Sequence, residues 1–204
     1  MVKISVLIVT RNAEKHILSC LKSIINQFPD NNGWELIIVD GMSKDKTRKI
    51  VEDYLKDKGV EYRVVDNPRF TLATGWNLGV SVAKGDYVVR PDAHAELLDN
   101  YILNGVAHLD KEPELVAVGG ILITKSENLI GEVIAAVLSN PVGIGYSLFR
   151  VGVSKDTYTD TAVYAVYRKP VFSQVGGLNE SLTRNQDIDF HRRILDDGHK
   201  IMTA

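Results

Sequence analysis

DYVVRPDAHAE, residues 86–96, is a short apolar run that stops abruptly at charge. Tyr87-Val88-Val89 reads as a buried strand, and Gly85 before it and Pro91 after it bracket the length over which a pleat can continue. Beyond Pro91 the chain is expected to leave the sheet. Side chains two apart in extended backbone point the same way, so Asp92 and His94 are expected to face one point, with the small Ala93 turned aside. A carboxylate and an imidazole so placed suit a divalent cation. Without one, Asp92 would repel a diphosphate, since two like charges about 4 Å apart at an effective dielectric of about 20 cost roughly 4 kcal/mol. A bound cation reverses that sign. Taken alone, an Asp-x-His triplet is more often an Asp turn beside a surface histidine, so the rest of the chain has to decide.

The residues before this stretch alternate between two periods. Ile4–Val9 is apolar on both pleat faces apart from Ser5, as in a parallel strand covered on both sides. Ile17, Leu18, Leu21, Ile24, Ile25 and Phe28 then mark a helix with a broad apolar face that stops near Pro29. Leu36–Val39 is a second strand, closed by Asp40-Gly41-Met42-Ser43. Ser43 is expected to cap a helix bearing Thr47, Ile50, Val51, Tyr54 and Leu55, which ends at Gly59. Tyr62–Val65 is a third strand, and a helix from about Leu72 to Ala83 leads into Tyr87. This order predicts an α/β fold with a parallel sheet, right-handed crossovers and helices on both faces. Ligands in such sheets bind at the carboxyl ends of the strands, where Thr10-Arg11-Asn12, Asp40 and Asp92 all fall.

Beyond Glu96 the pattern predicts a helix around Leu97–Leu109, a strand Leu115–Ile123 and an apolar helix Leu129–Leu138, the last expected to be core. A glycine-rich irregular stretch, Asn140–Gly152, comes next, then a strand Thr161–Tyr167. Pro170 starts a short helix, Gly176-Gly177 turns the chain, and Asn185 is expected to cap a final helix to about Asp197.

Composition removes several classes of function. The 204 residues are 45% hydrophobic and 25% charged, enough for a substantial core, and the net charge of −2 lacks the basic stripe of a nucleic-acid binder. The single cysteine, Cys20, forms neither a disulfide nor a zinc motif, which suggests a reducing, cytoplasmic setting. No signal peptide or membrane span is visible. The Asn179-Glu180-Ser181 acceptor pattern arises by chance too often to weigh. Neither G-x-G-x-x-G after the first strand nor G-x-x-x-x-G-K-[ST] occurs, which disfavours dinucleotide and P-loop sites.

Four segments in order, VTRN, IIVDGMSKDKT, NLGVSVAKGDYVVRPDAH and GGLNESLTRNQDIDFHRRI, resemble the family 2 glycosyltransferases of GT-A fold and span nearly the whole chain. With NPVGIGYSLFR and DTAVYAVYRKPVF, the DAH triplet is most similar to the succinoglycan-type exopolysaccharide branch. The resemblance implies a Rossmann-like three-layer α/β/α sandwich with a mostly parallel sheet, forming one domain over residues 1–204. It also implies inverting transfer of a sugar from a nucleoside diphosphate sugar to a saccharide or lipid-linked acceptor hydroxyl, in polysaccharide or glycolipid synthesis at the cytoplasmic face of a membrane. Because the chain stops at Ile201-Met202-Thr203-Ala204, inside an expected strand, it is expected to lack a C-terminal portion bearing acceptor contacts or a membrane anchor.

The resemblance also assigns residues. Thr10, Arg11, Asn12 and Asp40 match the nucleoside pocket, chemically reasonable because a carboxylate accepts a base N–H or a ribose hydroxyl. Their alternatives are helix capping and an Asx turn. Asp92 and His94 fall on the family's metal motif, with His replacing the final Asp, which leaves Mn2+ or Mg2+ open and suits Mn2+ better. Arg69, Asn77 and Arg90 are further candidates for phosphate or donor contact. Asp187 falls on the general base, with Gln186 preceding it in place of the usual Glu, although a helix first turn alone favours an Asp there. Asp189 and Arg193 are expected to pair at i, i+4. Two other readings compete. A nucleotidyltransferase normally opens with a glycine-rich basic loop, which VTRNAEK lacks, and a nucleotide-sugar binding module without turnover would hold Asp187 on the opposite face of the sheet from Asp92.

Overall fold

The computed structural model describes residues 3–126, 128–144 and 147–204. Its first half alternates strictly: β1 (Ile4–Thr10), α1 (Ile17–Ile25), β2 (Trp34–Asp40), α2 (Thr47–Leu55), β3 (Tyr62–Asp66), α3 (Leu72–Val82) and β4 (Tyr87–Val89). There follow α4 (Tyr101–Lys111), β5 (Leu115–Gly119), α5 (Leu129–Leu138), α6 (Pro141–Ile144), α7 (Leu148–Val151), β6 (Thr157–Tyr158), β7 (Val166–Arg168), α8 (Val171–Gln174), α9 (Gln186–Asp196) and β8 (Lys200–Thr203). All eight strands join one sheet in the order β3-β2-β1-β4-β7-β5-β8-β6. β3, β2, β1 and β4 run parallel, as do β5 and β8, whereas β7 is antiparallel to both its neighbours. With Val166 opposite Val89, β7 starts where β4 ends. The segment before β7 is thereby delivered to the carboxyl edge of the parallel half.

Both faces of the sheet are covered, as the unbroken apolar strands require. On one face Ile17, Leu21 and Ile24 of α1, Val51 and Leu55 of α2 and Ile102 of α4 pack on Val6, Ile8, Leu36, Ile38 and Val89. On the other, Trp76 of α3, Phe172 of α8, and Phe190 and Ile194 of α9 pack on Leu7, Ile37, Val88 and Tyr167. The expected α/β/α sandwich with a mostly parallel sheet is therefore present. α3 comes unusually close to β1, because a Cβ at Gly75 would stand 2.5 Å from Val9 Cγ1 and one at Gly79 2.0 Å from Leu7 Cδ1.

At the amino ends of the strands a buried carboxylate replaces apolar packing. Glu35 Oε1 accepts from Ser5 Oγ at 2.8 Å and from the Lys84 amide at 2.6 Å, and Oε2 accepts from Arg63 Nη2 at 2.9 Å. Ser5 Oγ in turn accepts from the Gly85 amide at 2.9 Å. Ser5 of the first strand thus joins β1, β2, β3 and the turn into β4, with each buried group of this cluster partnered as burial demands.

Several boundaries and one burial expectation need correction. Ser43 does not cap α2: its hydroxyl donates to Asp40 Oδ1 at 2.5 Å, while Asp45 Oδ1 accepts the Thr47 amide at 2.9 Å. α4 begins at Tyr101 and not Leu97, because the Leu97 amide donates to Ser23 Oγ and the Leu98 carbonyl accepts from Gln27, so that turn is held by α1. β5 stops at Gly119, where its ladder with β8 ends at Thr203. Residues 161–165 are not strand, since Tyr164 has φ 48° and breaks the pleat. Asn185 heads α9 with φ 58° and makes no side-chain cap. The Asn140–Gly152 stretch contains the short helices α6 and α7; Gly145 and Tyr146 lie outside the described residues. The helix Leu129–Leu138 has the expected limits, set by Asn128 accepting the Gly131 amide at its N-cap, but it buries no residue; Leu129 and Ile130 are each 75% exposed.

Candidate active site

The carboxyl edge of β1, β2, β3 and β4 carries most of the backbone strain. Among the described residues six non-glycine residues have positive φ, and four of them follow or flank these strand ends: Asn12 (52°), Met42 (55°), Phe70 (61°) and Tyr164 (48°). Left-handed backbone at a bulky residue costs on the order of 1–3 kcal/mol and persists where the surroundings enforce it, typically at functional sites. Here the enforcement is visible. The Asn12 amide donates to Ser43 Oγ at 2.9 Å, Asn12 Oδ1 accepts the Lys44 amide at 2.8 Å, and the Ala13 amide donates to Thr47 Oγ1 at 2.7 Å. The loops after β1 and β2 are therefore stitched to each other. Asn12 does not cap α1, and neither does Thr10, whose buried hydroxyl has no partner among the described residues.

Asp40 is buried beside Thr10, with Ser43 donating to it through both its amide and its hydroxyl. The Arg11 guanidinium lies over the exposed Phe70 ring, 4.7 Å from its centroid. Thr10, Arg11, Asn12 and Asp40 thus come together around the ends of the first two strands.

After β4 the chain places a buried cation. Arg90 is 7% exposed, its guanidinium stacks on Trp76 at 3.8 Å from the ring centroid, and Nη1 pairs with Asp92 Oδ1 at 3.2 Å. Among the described residues its Nε has no partner, nor has Trp76 Nε1. Asp92 does not continue an extended strand. Its carbonyl accepts the Ala95 amide at 2.9 Å, closing a turn over Asp92-Ala93-His94-Ala95. The extended-backbone argument for a shared Asp92 and His94 face is corrected by that turn. His94 is exposed, and among the described residues no group of three or more His, Cys, Asp or Glu is placed to hold a metal. One carboxylate and one imidazole, with substrate phosphates completing the shell, is nevertheless a normal donor set for a divalent ion bound together with its ligand. The turn behind Asp92 is fixed by Cys20, whose Sγ lies 3.5 Å from the Asp92 carbonyl. Burial, with help from the Asp92 and Glu96 carboxylates, pushes that thiol up to about 12.

Asp187 is exposed in the first turn of α9 and has no hydrogen bond or ion pair among the described residues. Its carboxylate and the Arg90 guanidinium both act electrostatically on the buried Tyr167 and His191, the first raising and the second lowering their tendency to hold a proton. His191 is wedged between Thr161 Oγ1 at 2.9 Å and Tyr167 Oη at 2.8 Å. Burial takes it down from 6.5 to about 4. Asp189 and Arg193 pair at 2.9 Å, and Arg193 also binds the carbonyls of Val175, Gly176 and Gly177. Arg69 is paired with Glu180 at the surface. Asn77 bridges α3 to the Leu178 backbone through both its amide groups and binds Glu180 at 2.9 Å.

Residues 5–176 match the family described as Glycosyl transferase family 2. The chain belongs to that family. A Methanococcus voltae relative, named dolichyl N-acetyl-alpha-D-glucosaminyl phosphate 3-beta-D-2,3-diacetamido-2,3-dideoxy-beta-D-glucuronosyltransferase, is 28% identical over 98% of this glycosyl transferase family 2 chain. The succinoglycan biosynthesis protein ExoA of Rhizobium meliloti is 25% identical over 93% of it. These matches establish the family and leave the branch open, the archaeal relative matching at the higher identity. The chain spans 64% and 57% of those two relatives' lengths. Among solved structures, Staphylococcus aureus TarS 1-349 in complex with UDP superposes with a TM-score of 0.76 at 19% identity, covering 99% of this chain and 57% of that one. The mannosyltransferase PcManGT from Pyrobaculum calidifontis, in complex with GDP-Man and Mn2+, gives 0.76 at 20% identity, covering 99% and 54%. Both confirm the GT-A-like fold. No helix among the described residues is long and apolar enough to cross a membrane.

In this family 2 chain Tyr164 escaped the sequence reading: it sits in AVYAV, which reads locally as plain strand, and no local signal announces its left-handed backbone. Trp76 reads from sequence as a packing residue that could edge a pocket through its neighbour Asn77, and His191 as a surface or satisfied core residue; His191 is the latter.

Proposed function

We propose that this chain carries the catalytic site of an inverting glycosyltransferase that moves a sugar from a nucleoside diphosphate sugar to a saccharide or lipid-linked acceptor hydroxyl, in assembly of a polysaccharide or glycolipid at the cytoplasmic face of a membrane. The observation that carries the reading is the buried Arg90, stacked on Trp76 at the carboxyl end of β4 with its Nε unpartnered. A buried guanidinium with spare donors beside a strand end suits a phosphate oxygen. Thr10, Arg11, Asn12 and Asp40 form the nucleoside side: the unpartnered Thr10 hydroxyl and the remaining lone pairs of Asp40 meet base or ribose polar groups, and the Arg11–Phe70 pair offers a flat face. Arg69, paired with Glu180, and Asn77, which holds the Leu178 backbone, are the further candidates for donor contact.

Asp92 and His94, together with diphosphate oxygens, would hold Mn2+ or Mg2+, and the mixed oxygen and nitrogen set favours Mn2+. When bound, the ion neutralises charge on the leaving diphosphate as a Lewis acid. Asp187 accepts the acceptor hydroxyl proton while that oxygen bonds the anomeric carbon and the carbon–oxygen bond to the diphosphate breaks on the opposite side, which inverts the centre. Such base assistance contributes about 10²- to 10⁴-fold. Asp187 serves because it is ionisable, exposed and unspent on any partner among the described residues.

The test is thermal stability of the protein with UDP, GDP, CDP and their sugars, in Mn2+, Mg2+ or chelator. At ligand about 100-fold above Kd, stabilisation of about 2.7 kcal/mol is expected, lost with chelator and in Asp92→Ala. Wild-type protein that gains no metal-dependent stability, or Asp92→Ala that gains as much as wild type, overturns the donor site.

A further inference from the structure

Tyr164 combines features that packing alone does not require. It is a bulky residue held at φ 48°, where an L side chain with a branched or aromatic body is a genuine outlier. The strain is clamped from behind. Tyr101 Oη lies 3.1 Å from the Tyr164 carbonyl and 3.2 Å from that of Val163, and accepts the Gly120 amide at 3.1 Å. One buried phenol therefore fixes two successive peptides and the end of β5. The clamp acts on the backbone, leaving the Tyr164 phenol itself with no hydrogen-bond partner among the described residues, and its ring is only partly buried.

β7 is antiparallel to β4 with Val166 opposite Val89, so the chain enters β7 on the side where β4 gives way to Arg90, Pro91 and the Asp92 turn. The electrostatics agree: after burial, the strongest influence on the Tyr164 hydroxyl is the Asp92 carboxylate, followed by Arg90 and Arg150, and the group is pushed up to about 12. A phenol hydroxyl can both donate and accept. Strain concentrated on a side chain with a free polar tip, beside the residues assigned to a diphosphate, runs from an observed outlier to a functional hypothesis.

We propose that Tyr164 is a specificity-determining residue that lies against the sugar attached to the diphosphate, its ring covering a C–H face of the pyranose and its hydroxyl meeting one sugar hydroxyl. The inference rests on the donor site proposed above and deepens it, assigning the transferred sugar to the β7 side and the nucleoside to the β1–β2 side. An aromatic ring suits a pyranose because one face presents carbon-bound hydrogen, while a single phenol hydroxyl discriminates by leaving a desolvated group unpaired when the wrong epimer binds.

Titration calorimetry in Mn2+ with UDP, UDP-glucose, UDP-GlcNAc, GDP and GDP-mannose tests it on wild type, Tyr164→Phe and Tyr164→Gly. The informative quantity is the ratio of a sugar nucleotide's Kd to that of its parent diphosphate. Tyr164→Gly should raise this ratio at least tenfold for the sugar nucleotide that wild type binds best, with the diphosphate Kd unchanged within about twofold, and Tyr164→Phe should raise it several-fold. Because glycine accepts left-handed backbone freely, Tyr164→Gly should also keep the wild-type unfolding temperature or exceed it. Equal weakening of diphosphate and sugar nucleotide, with a lowered unfolding temperature, would assign Tyr164 to packing and overturn the proposal. An unchanged ratio would overturn it too. Wild type that binds none of the diphosphates refutes the donor site and this inference together, whereas wild type that binds them with an unchanged ratio in the variants refutes this inference alone.

Discussion

His191 shows how a single side chain links the site to the stability of the fold. It is enclosed between Thr161 and Tyr167, stacked on the Tyr167 ring with an interplanar angle of 21°. Burial is the main reason it stays neutral, Arg90 adds to that, and Asp187 and Asp160 oppose it. The folded protein therefore refuses a proton down to about pH 4, while the unfolded chain takes one near pH 6.5. Between those values the unfolded state binds more protons, so stability falls as pH is lowered through the window and levels off below it. At about 1.4 kcal/mol per pH unit the loss is roughly 3 kcal/mol. Urea unfolding of wild type and His191→Gln at a series of pH values checks this: the variant should lose markedly less stability between pH 6.5 and 4, and parallel curves would refute it.

At the scale of elements, α3 depends on what it lacks. Alanine favours a helix interior over glycine by about 1 kcal/mol, yet at Gly79 the added methyl would meet three atoms of the buried Leu7 side chain at 2.0, 2.7 and 2.9 Å. Overpacking of that kind typically costs about 1–3 kcal/mol, so the helix gain is lost. Gly79→Ala should lower the free energy of unfolding by about 1–2 kcal/mol in denaturant titration, and a variant more stable than wild type would show that α3 can lift away from β1. The same comparison of local and tertiary effects explains what the sequence revealed. β1, α1, β2 and α3 were legible because their period is set by apolar residues that all end in one core. Leu97, the 120–123 segment and residues 161–165 were misread because long-range partners terminate them: Ser23 at Leu97, the end of the β8 ladder at Gly119, and the Tyr101 clamp at Tyr164. Hydrophobicity likewise located α5 but could not say that the helix stands outside both apolar clusters. At the candidate site, the strand-end positions of Thr10, Asn12, Asp40 and Asp92 were legible because strand ends are visible in sequence, whereas the Arg90–Trp76 stack and the Tyr164 backbone depend on chain crossings that are not.

Across the whole molecule, the two halves of the proposed reaction are carried by neighbouring strands but by segments far apart in the chain: Asp92 after β4, and Asp187 on a helix that packs behind β7. The two should therefore fail differently. Asp187→Asn is expected to slow nucleoside diphosphate release in an acceptor-dependent assay by about 10²- to 10⁴-fold while leaving diphosphate affinity unchanged, and Asp92→Ala to weaken that affinity itself. Equal loss of affinity in both variants would remove Asp187 from the role of base. The Glu35 cluster gives this division a further meaning. Its ion pair and hydrogen bonds close the amino ends of β1, β2 and β3 and hold the turn into β4, so the scaffold's precision is anchored opposite the place where specificity is chosen. A protein locked at its base and open at its rim tolerates exchange of rim loops without re-solving its fold, and new donors and acceptors can be tried on an unchanged foundation.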